Sequence, residues 1–174
     1  MELTTAELTV LGLLIERPRH GYGLEQVIAR RGIRQWSDVG FSSIYYLLAK
    51  LDKRGLVHVP EAPAAPKSRH VFHATAEGRA AAARTALALI EQPQPVRHPL
   101  LVGIANLPLL SDREYAQALR TRLAGVEARI ESLRSAQQAQ APLPHPAREV
   151  FSYSLSLLEA ERQWLAARAQ VPDD

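Results

Sequence analysis

The sequence predicts a mainly α-helical protein with one small β-hairpin, divided into an N-terminal and a C-terminal part. Three helical patterns come first, and two short strand-like segments and a fourth helical pattern follow them. A proline-rich stretch then separates this group from two long helical patterns. The order helix, helix, helix, hairpin, helix indicates a winged helix-turn-helix. We therefore expect that fold at residues 1–92, a linker at 93–99 and a helical domain at 100–174.

The first two helices are predicted from their end signals. Thr4 and Glu7 form a capping-box pattern immediately before an apolar run of helical spacing, and Pro18 ends that helix. A second helical pattern runs from about Tyr22 to Arg31, and Gly32 supplies its stop.

The third helix is predicted over residues 43–54, with Ser42 as its N-cap and Gly55 as its end. Its apolar residues recur at helical spacing and should face inward: Ile44, Leu47, Leu48 and Leu51. On the opposite face, Ser43, Tyr46 and Lys50 are three and four residues apart, so their side chains should point outward together.

Two short segments, 56–59 and 69–74, are rich in β-branched and aromatic residues and are too short for helices. Three prolines lie among residues 60–68 between them, so this stretch should be a long hairpin tip. Thr75 is a suitable N-cap for an alanine-rich helix over 76–91.

The C-terminal part begins with a short apolar helix near Leu100 that should end before Pro108. Ser111 or Asp112 then starts a long helix whose apolar residues are spaced 4, 4, 3, 4 and 3 apart, nearly a coiled-coil seam. A polar, proline-broken turn is predicted over 137–146, and a last helix over 149–168.

Composition and charge restrict the class of protein. The chain has 174 residues, of which 47% are hydrophobic and 22% charged, as in ordinary globular proteins. No apolar run approaches the roughly 20 residues that a membrane-spanning helix needs, and no signal-peptide pattern is present, so we expect a cytoplasmic protein. The absence of cysteine excludes disulfides, thiolate metal sites and cysteine nucleophiles.

The formal charge of +3 lies entirely in the first half of the chain, because residues 1–75 carry 10 basic and 7 acidic side chains. Eighteen of the 21 basic residues are arginine, which suits forked contacts with phosphates and guanine edges. A GC-rich genome produces the same arginine bias, so composition alone leaves both explanations open.

Three motifs, in order along residues 8–79, resemble the PadR family of transcriptional regulators. The first is Leu11-Gly12-Leu13-Leu14 followed by Pro18-Arg19-His20-Gly21-Tyr22. The second is the stretch 42–51 followed by Gly55-Leu56-Val57, which is similar to the family's recognition helix. The third is Thr75-Ala76-Glu77-Gly78-Arg79, which follows the wing.

The resemblance implies a homodimeric regulator, a repressor, that binds an inverted repeat in double-stranded DNA and is released by a small aromatic effector. Candidate DNA-binding residues lie just before the second helix, on the third helix with its N-cap, and on the wing: Arg19, His20, Ser42, Ser43, Tyr45, Tyr46, Lys50, Arg54, Lys67 and Arg69. Candidate walls of an effector pocket are aromatic: Trp36, Phe41, Phe151, Tyr153 and Trp164. Candidate dimer contacts lie on the two long helices: Leu119, Leu123, Val126, Ile130, Leu155, Leu158, Trp164 and Leu165.

Three other classes of protein remain to be compared with this interpretation. An enzyme is disfavoured because the sequence has no nucleophile elbow, P-loop, dinucleotide-binding or zinc-protease spacing, and we expect no cofactor. A metal sensor would use His58, His70 and His73, but His70 and His73 should face opposite sides of a strand. A winged helix that binds a protein partner instead of DNA is the third possibility.

Overall fold

A computed structural model describes residues 2–40, 43–60, 70–93 and 95–169 of the chain. The chain divides into two compact units, Met1–Val96 and Arg97–Asp174, called unit 1 and unit 2 below. The predicted fold class is confirmed: both units are mainly helical, and unit 1 contains a small antiparallel pair of strands.

Unit 1 follows the order of a winged helix-turn-helix, with a short 3-10 turn at Ile33–Gln35 after the second helix. Its elements are α1 (Thr5–Glu16), α2 (Gly21–Arg30), α3 (Ile44–Lys53), β1 (Val57–His58), β2 (His73–Ala74) and α4 (Ala76–Glu91). The predicted bounds of α4 are confirmed, and those of α2 differ by one residue at each end.

The capping signals explain where the helices begin. The Glu7 amide donates to the Thr4 hydroxyl, and the Glu7 carboxylate accepts from the Thr4 amide at 2.8 Å, which completes the capping box of α1. His20 caps α2, since its Nδ1 accepts from the Gly23 amide at 2.8 Å. The N-cap of α3 is Ser43, whose side chain makes no capping bond, and the predicted cap Ser42 lies outside the described residues.

The strands are shorter than predicted. Val57 pairs with Ala74 and His58 with His73, and the ladder includes no further pair among the described residues. Pro60 explains the end of β1, because proline lacks the amide donor that a continuing ladder requires. The sequence did not reveal a third element of the sheet, an isolated antiparallel bridge between Arg19 and Phe72.

The core of unit 1 lies between α1, α2 and α3 and extends to α4 and β1. Gly78 shows how tightly α4 packs on this core, because a Cβ at this position would clash with the Leu56 carbonyl oxygen. Thr75 secures the same corner: its hydroxyl accepts from the Gly78 amide and donates to the Gly55 carbonyl at 2.8 Å. These contacts give the Thr-x-x-Gly pattern after the wing a packing role.

Unit 2 consists of α5 (Pro99–Ala105), a 3-10 turn (Leu107–Leu109), α6 (Asp112–Ala139) and α7 (His145–Ala169). Helices α6 and α7 pack together as a hairpin around Leu119, Val126, Ile130 and Leu165. Within the described residues, no helix is long and apolar enough to cross a membrane.

The predicted turn at 137–146 was wrong at both ends, because α6 continues to Ala139 and α7 begins at His145. Alanine and glutamine at the end of α6 are good helix formers, which explains the extension. Pro146 is the second residue of α7, and proline is tolerated in the first turn, where its missing amide has no helical partner.

Candidate nucleic-acid interface

Helix α3 presents two different faces. Ile44, Leu47, Leu48 and Leu51 are buried in the core, which confirms the inward stripe predicted from their spacing. Tyr45 and Tyr46 are 67% and 69% exposed although both are large aromatic residues. An apolar inner face with an aromatic, polar outer face is the arrangement that a helix entering the major groove of DNA requires.

Tyr45 also sets the approach of α2 to α3. A Cβ at Gly21 would lie 2.6 Å from Cε1 of the Tyr45 ring, so the ring occupies the space that a side chain there would need. Glycine at this first position of α2 therefore leaves room for the Tyr45 ring in the place that it occupies.

The C-terminal half of α3 is attached to α1 by a buried carboxylate. Glu7 is 1% exposed, and its Oε1 lies 2.9 Å from Nζ of Lys50 and 3.1 Å from Nη1 of Arg54. Burial acts to raise the pKa of Glu7, but the Thr4 amide and the charges of Lys50 and Arg54 outweigh it and hold that pKa below its usual value. Glu7 therefore stays ionised and bridges α1 to α3.

This cluster bears on two of the predicted DNA contacts. The side chain of Arg54 is 15% exposed and that of Lys50 is 41% exposed, so Lys50 has more freedom to reach outward. One carboxylate faces two cations, which leaves an excess positive charge at this end of α3. The DNA contacts of Lys50 and Arg54 remain predictions.

Sequence reasoning assigned Glu7 only to the capping box and missed this bridging role. The signal was present, because Glu7 precedes Leu11 and Leu14 by four and seven residues and therefore shares the buried face of α1. A carboxylate on an apolar face requires a cationic partner, and nothing in the linear sequence identified Lys50 and Arg54 as that partner.

The remaining predicted contacts of unit 1 lie near the start of α2 and α3. Arg19 and His20 are half-buried, and the His20 ring stacks beside Tyr22 with 6.3 Å between the ring centroids. The Ser43 hydroxyl donates to the Gly40 carbonyl at 2.8 Å, so it closes the turn before α3. Ser42, Lys67 and Arg69 lie outside the described residues.

The predicted effector walls are distributed over both units. Trp36, which is 53% exposed, belongs to unit 1, and Phe41 lies outside the described residues. The other three belong to α7: Phe151, Tyr153 and Trp164. Trp164 is half-buried, and the Arg168 guanidinium lies 4.1 Å from the centre of its ring. The effector pocket remains a prediction.

The wing histidines form a pair. His58 and His73 are partners across the two strands, with 5.5 Å between their ring centroids. No group of three or more metal-ligating side chains occurs in the part of the chain that the structure describes.

The predicted dimer contacts fall mostly inside the hairpin of unit 2. Leu119, Val126, Ile130 and Leu165 are its buried core, and Leu123, Leu155, Leu158 and Trp164 pack against them. Their apolar spacing is therefore used at least in part within one chain.

Comparisons with known proteins agree with this architecture. Residues 10–84 match the model of the transcriptional regulator PadR-like family. No curated protein matches the sequence. Among solved structures, Bacillus subtilis PadR in complex with operator DNA is 19% identical, with a TM-score of 0.76 over 92% of this chain and 95% of that chain.

Two further structures are similar along most of their length. Bacillus subtilis PadR in complex with p-coumaric acid is 18% identical, with a TM-score of 0.76 over 94% of this chain and 96% of that chain. The Vibrio cholerae virulence activator AphA is 19% identical, with a TM-score of 0.70 over 94% and 95% of the two chains. At these identities the likeness shows the fold. Residues 10–84, which make up most of unit 1, form a domain of the transcriptional regulator PadR-like family.

Proposed function

We propose that this protein is a cytoplasmic, homodimeric repressor that binds an inverted repeat in double-stranded DNA and releases it when a small aromatic effector binds. The observation that carries the proposal is the outer face of α3, where Tyr45 and Tyr46 are two-thirds exposed on a helix whose other face is buried. Family membership and the operator complex of a PadR relative of the same fold support it.

The outer face of α3 supplies the contacts that read bases. Tyr46 and Ser43 lie three residues apart on this face, near the helix N-terminus that enters a major groove. Arg19 and His20, at the start of α2, and Lys67 and Arg69, on the wing, provide phosphate contacts in this proposal. Their positive charge accounts for part of the +3 excess of residues 1–75.

Unit 2 holds the dimer through the outer face of α7. Apolar side chains recur there at a spacing of 3, 4 and 3, the pattern of a coiled-coil seam: Val150, Tyr153, Leu157 and Ala160. Tyr153 and Leu157 are 68% and 55% exposed, so this stripe is distinct from the side of α7 that packs on α6. A two-fold partner would cover it and place two copies of α3 over two half-sites.

Regulation by an aromatic compound is supported by the p-coumaric acid complex of the same relative. In this chain the aromatic residues proposed as flat apolar walls are Trp36, Phe151, Tyr153 and Trp164. Phe41, which lies outside the described residues, belongs to the same prediction. Effector binding would change the relative setting of the two recognition helices, which must match the half-site spacing.

The proposal is tested by titrating the full chain against DNA from upstream of its own gene and against random DNA of equal length. Fluorescence anisotropy at two salt concentrations measures both affinities. We expect the upstream DNA to be preferred by about 10³-fold or more, as for specific regulators. If neither this DNA nor fragments recovered in a genome-wide selection are preferred over random DNA, the winged helix serves a protein partner instead.

A further inference from the structure

A cleft of about 310 Å³ opens on the surface of unit 1, beside α2. Its walls are α2 on one side and the α1–α2 connection on the other, with Val71 at its edge. The side chains that matter for its chemistry are Arg17, Arg19, His20, Gln26 and Arg30. No acidic residue lines it among the described residues, so its charge is positive.

The neighbouring carboxylates are already engaged with other arginines. Glu16 accepts from Arg31 at 2.8 Å, and Glu25 accepts from Arg34 at 2.6 Å. Within the described part of the chain, Arg17, Arg19 and Arg30 have no ion-pair partner. Three arginines therefore line one cleft, and no carboxylate of the described residues neutralises them.

Arg19 adds a second, independent indication. Its Nε is buried and has no hydrogen-bond acceptor among the residues that the structure describes, and a buried N–H donor without an acceptor is unfavourable. The backbone of Arg19 is held in place by its bridge to Phe72, with N–O distances of 2.9 and 3.3 Å. An anion in the cleft would supply the missing acceptor.

The cleft lies on a different face of α2 from the contact with α3. Gly21 meets Tyr45 of α3, whereas Gly23 and Arg30 lie about 200° and 180° around the helix from Gly21, at about 100° per residue. The outer face of α3 can therefore be occupied by DNA bases while the cleft takes a separate group.

We propose that this cleft binds a phosphate-type oxyanion through Arg17, Arg19 and Arg30. Guanidinium groups match the oxygens of a phosphate by forked hydrogen bonds, and Nε2 of His20 and the side-chain amide of Gln26 can donate further ones. The phosphate can come from the DNA backbone beside the recognised bases or from a free phosphate-bearing molecule. Binding of a DNA phosphate rests on the function proposed above, whereas binding of a free phosphate-bearing molecule does not.

The first arm of the test uses inorganic phosphate and the DNA-free full chain. Amide chemical shifts are followed by NMR at constant ionic strength, with chloride as the competing anion. We expect saturable shifts at Gly23, Val27 and Val71, which line the cleft. The double variant Arg17→Gln/Arg30→Gln should bind phosphate about tenfold more weakly or not at all. The control Arg31→Gln removes one positive charge, from an arginine that is already paired with Glu16, and it should bind as the wild type does.

The second arm measures DNA affinity against salt concentration for the same three proteins. If the cleft holds a backbone phosphate, the double variant should lose about one unit of salt slope for each phosphate contact removed, and Arg31→Gln should lose none. If the double variant loses phosphate binding but keeps the salt slope of its DNA affinity, the cleft binds a free phosphate-bearing molecule and not the DNA backbone. If the double variant alters neither phosphate binding nor the slope, the proposal is overturned. If the protein binds phosphate saturably but shows no preference between DNA sequences, the phosphate site in the cleft is supported and the proposed function as a specific regulator is contradicted.

Discussion

Unit 1 and unit 2 differ in how completely each buries its own apolar residues. Eighteen hydrophobic residues are buried in the core of unit 1, against four in unit 2 among the described residues. Helix α5 contributes none to a buried core, and the outer stripe of α7 stays exposed. Two packed helices form one seam, so a helical hairpin leaves its other apolar faces open unless a further layer covers them.

The difference indicates separate roles. Unit 1 buries far more of its apolar residues, although the end of α4 leaves Leu87, Leu89 and Ile90 exposed. It can hold α3 rigidly, since α3 is fixed by its buried leucines and by the Glu7 bridge. Unit 2 keeps a seam of its own together with a second apolar stripe, which is what an assembly domain requires. In the proposed dimer, the recognition surface would rest on the more complete core, and the assembly surface would complete its core against the partner.

The largest expected effect comes from truncating a buried leucine in each core. Leu51→Ala in unit 1 should lower the free energy of unfolding by about 4 kcal/mol, because the surrounding dense core cannot collapse into the cavity. Leu165→Ala in unit 2 should cost about 2.5 kcal/mol, since the thinner hairpin relaxes more easily. Urea unfolding followed by circular dichroism measures both.

Methionine at either position is the matched control, because it conserves volume and should cost less than about 1.5 kcal/mol. If the two alanine variants lose the same free energy of unfolding, unit 1 does not have the more complete core.

The next effect concerns assembly. Leu157→Glu places a charge in the exposed stripe of α7 and should weaken the dimer by at least about 100-fold, or about 2.7 kcal/mol. Light scattering coupled to size-exclusion chromatography measures the mass at several concentrations. Ser156→Glu adds the same charge to the adjacent exposed residue outside the stripe, and it should remain dimeric. A dimer unchanged by Leu157→Glu would place the interface on another face of unit 2.

Elements with strong local signals could be predicted from the sequence. Thr4 and Thr75 begin their helices as their capping patterns indicated, and Ser111, one of the two predicted starts, caps α6. The inward residues of α3 follow from their spacing. The end of α6 was missed because the alanine-glutamine run is a weak stop signal and a good helix former. Local preferences therefore determined where helices start better than where they end.

Features that depend on residues far apart in the chain could not be predicted. The bridge between Arg19 and Phe72 joins positions more than 50 residues apart, and the pairing of Glu7 with Lys50 and Arg54 joins α1 to α3. The spacing of apolar residues in the outer stripe of α7 is visible in the sequence. Only the folded structure shows that a different side of α7 packs on α6. Packing decides which of two apolar faces a helix uses within its own chain.

A smaller effect is expected from the Glu7 bridge. Glu7→Gln should lower the free energy of unfolding by about 2 kcal/mol at pH 7, because it leaves Lys50 and Arg54 without their buried counter-charge. The pKa of Glu7 is lowered in the folded state, so its ionised form stabilises the fold fully above about pH 4.3, the ordinary value for glutamate. That stability is lost as the pH falls through the folded pKa, and the two proteins should then converge.

Urea unfolding at pH values from 7 to about 3 follows this convergence. The control Glu16→Gln removes a carboxylate from an exposed pair with Arg31 and should change stability by less than about 0.5 kcal/mol at any of these pH values. A difference between wild type and Glu7→Gln that persists at low pH would show that Glu7 acts through packing and not through its charge.

The smallest effect distinguishes base reading from phosphate contact on α3. Tyr46→Ala should cost about 1.5 kcal/mol, roughly tenfold, in affinity for specific DNA, because its two-thirds exposed ring contributes to recognition and not to the core. Affinity for random DNA should stay within about twofold, since that binding depends on phosphate neutralisation. Anisotropy titrations with both DNAs give the two values, and an unchanged melting temperature shows that the fold is intact. Tyr46→Phe separates the hydroxyl from the ring. Equal losses of affinity for both DNAs would mean that this face of α3 lies along the DNA backbone. The core of unit 1 would then position a different surface for base recognition.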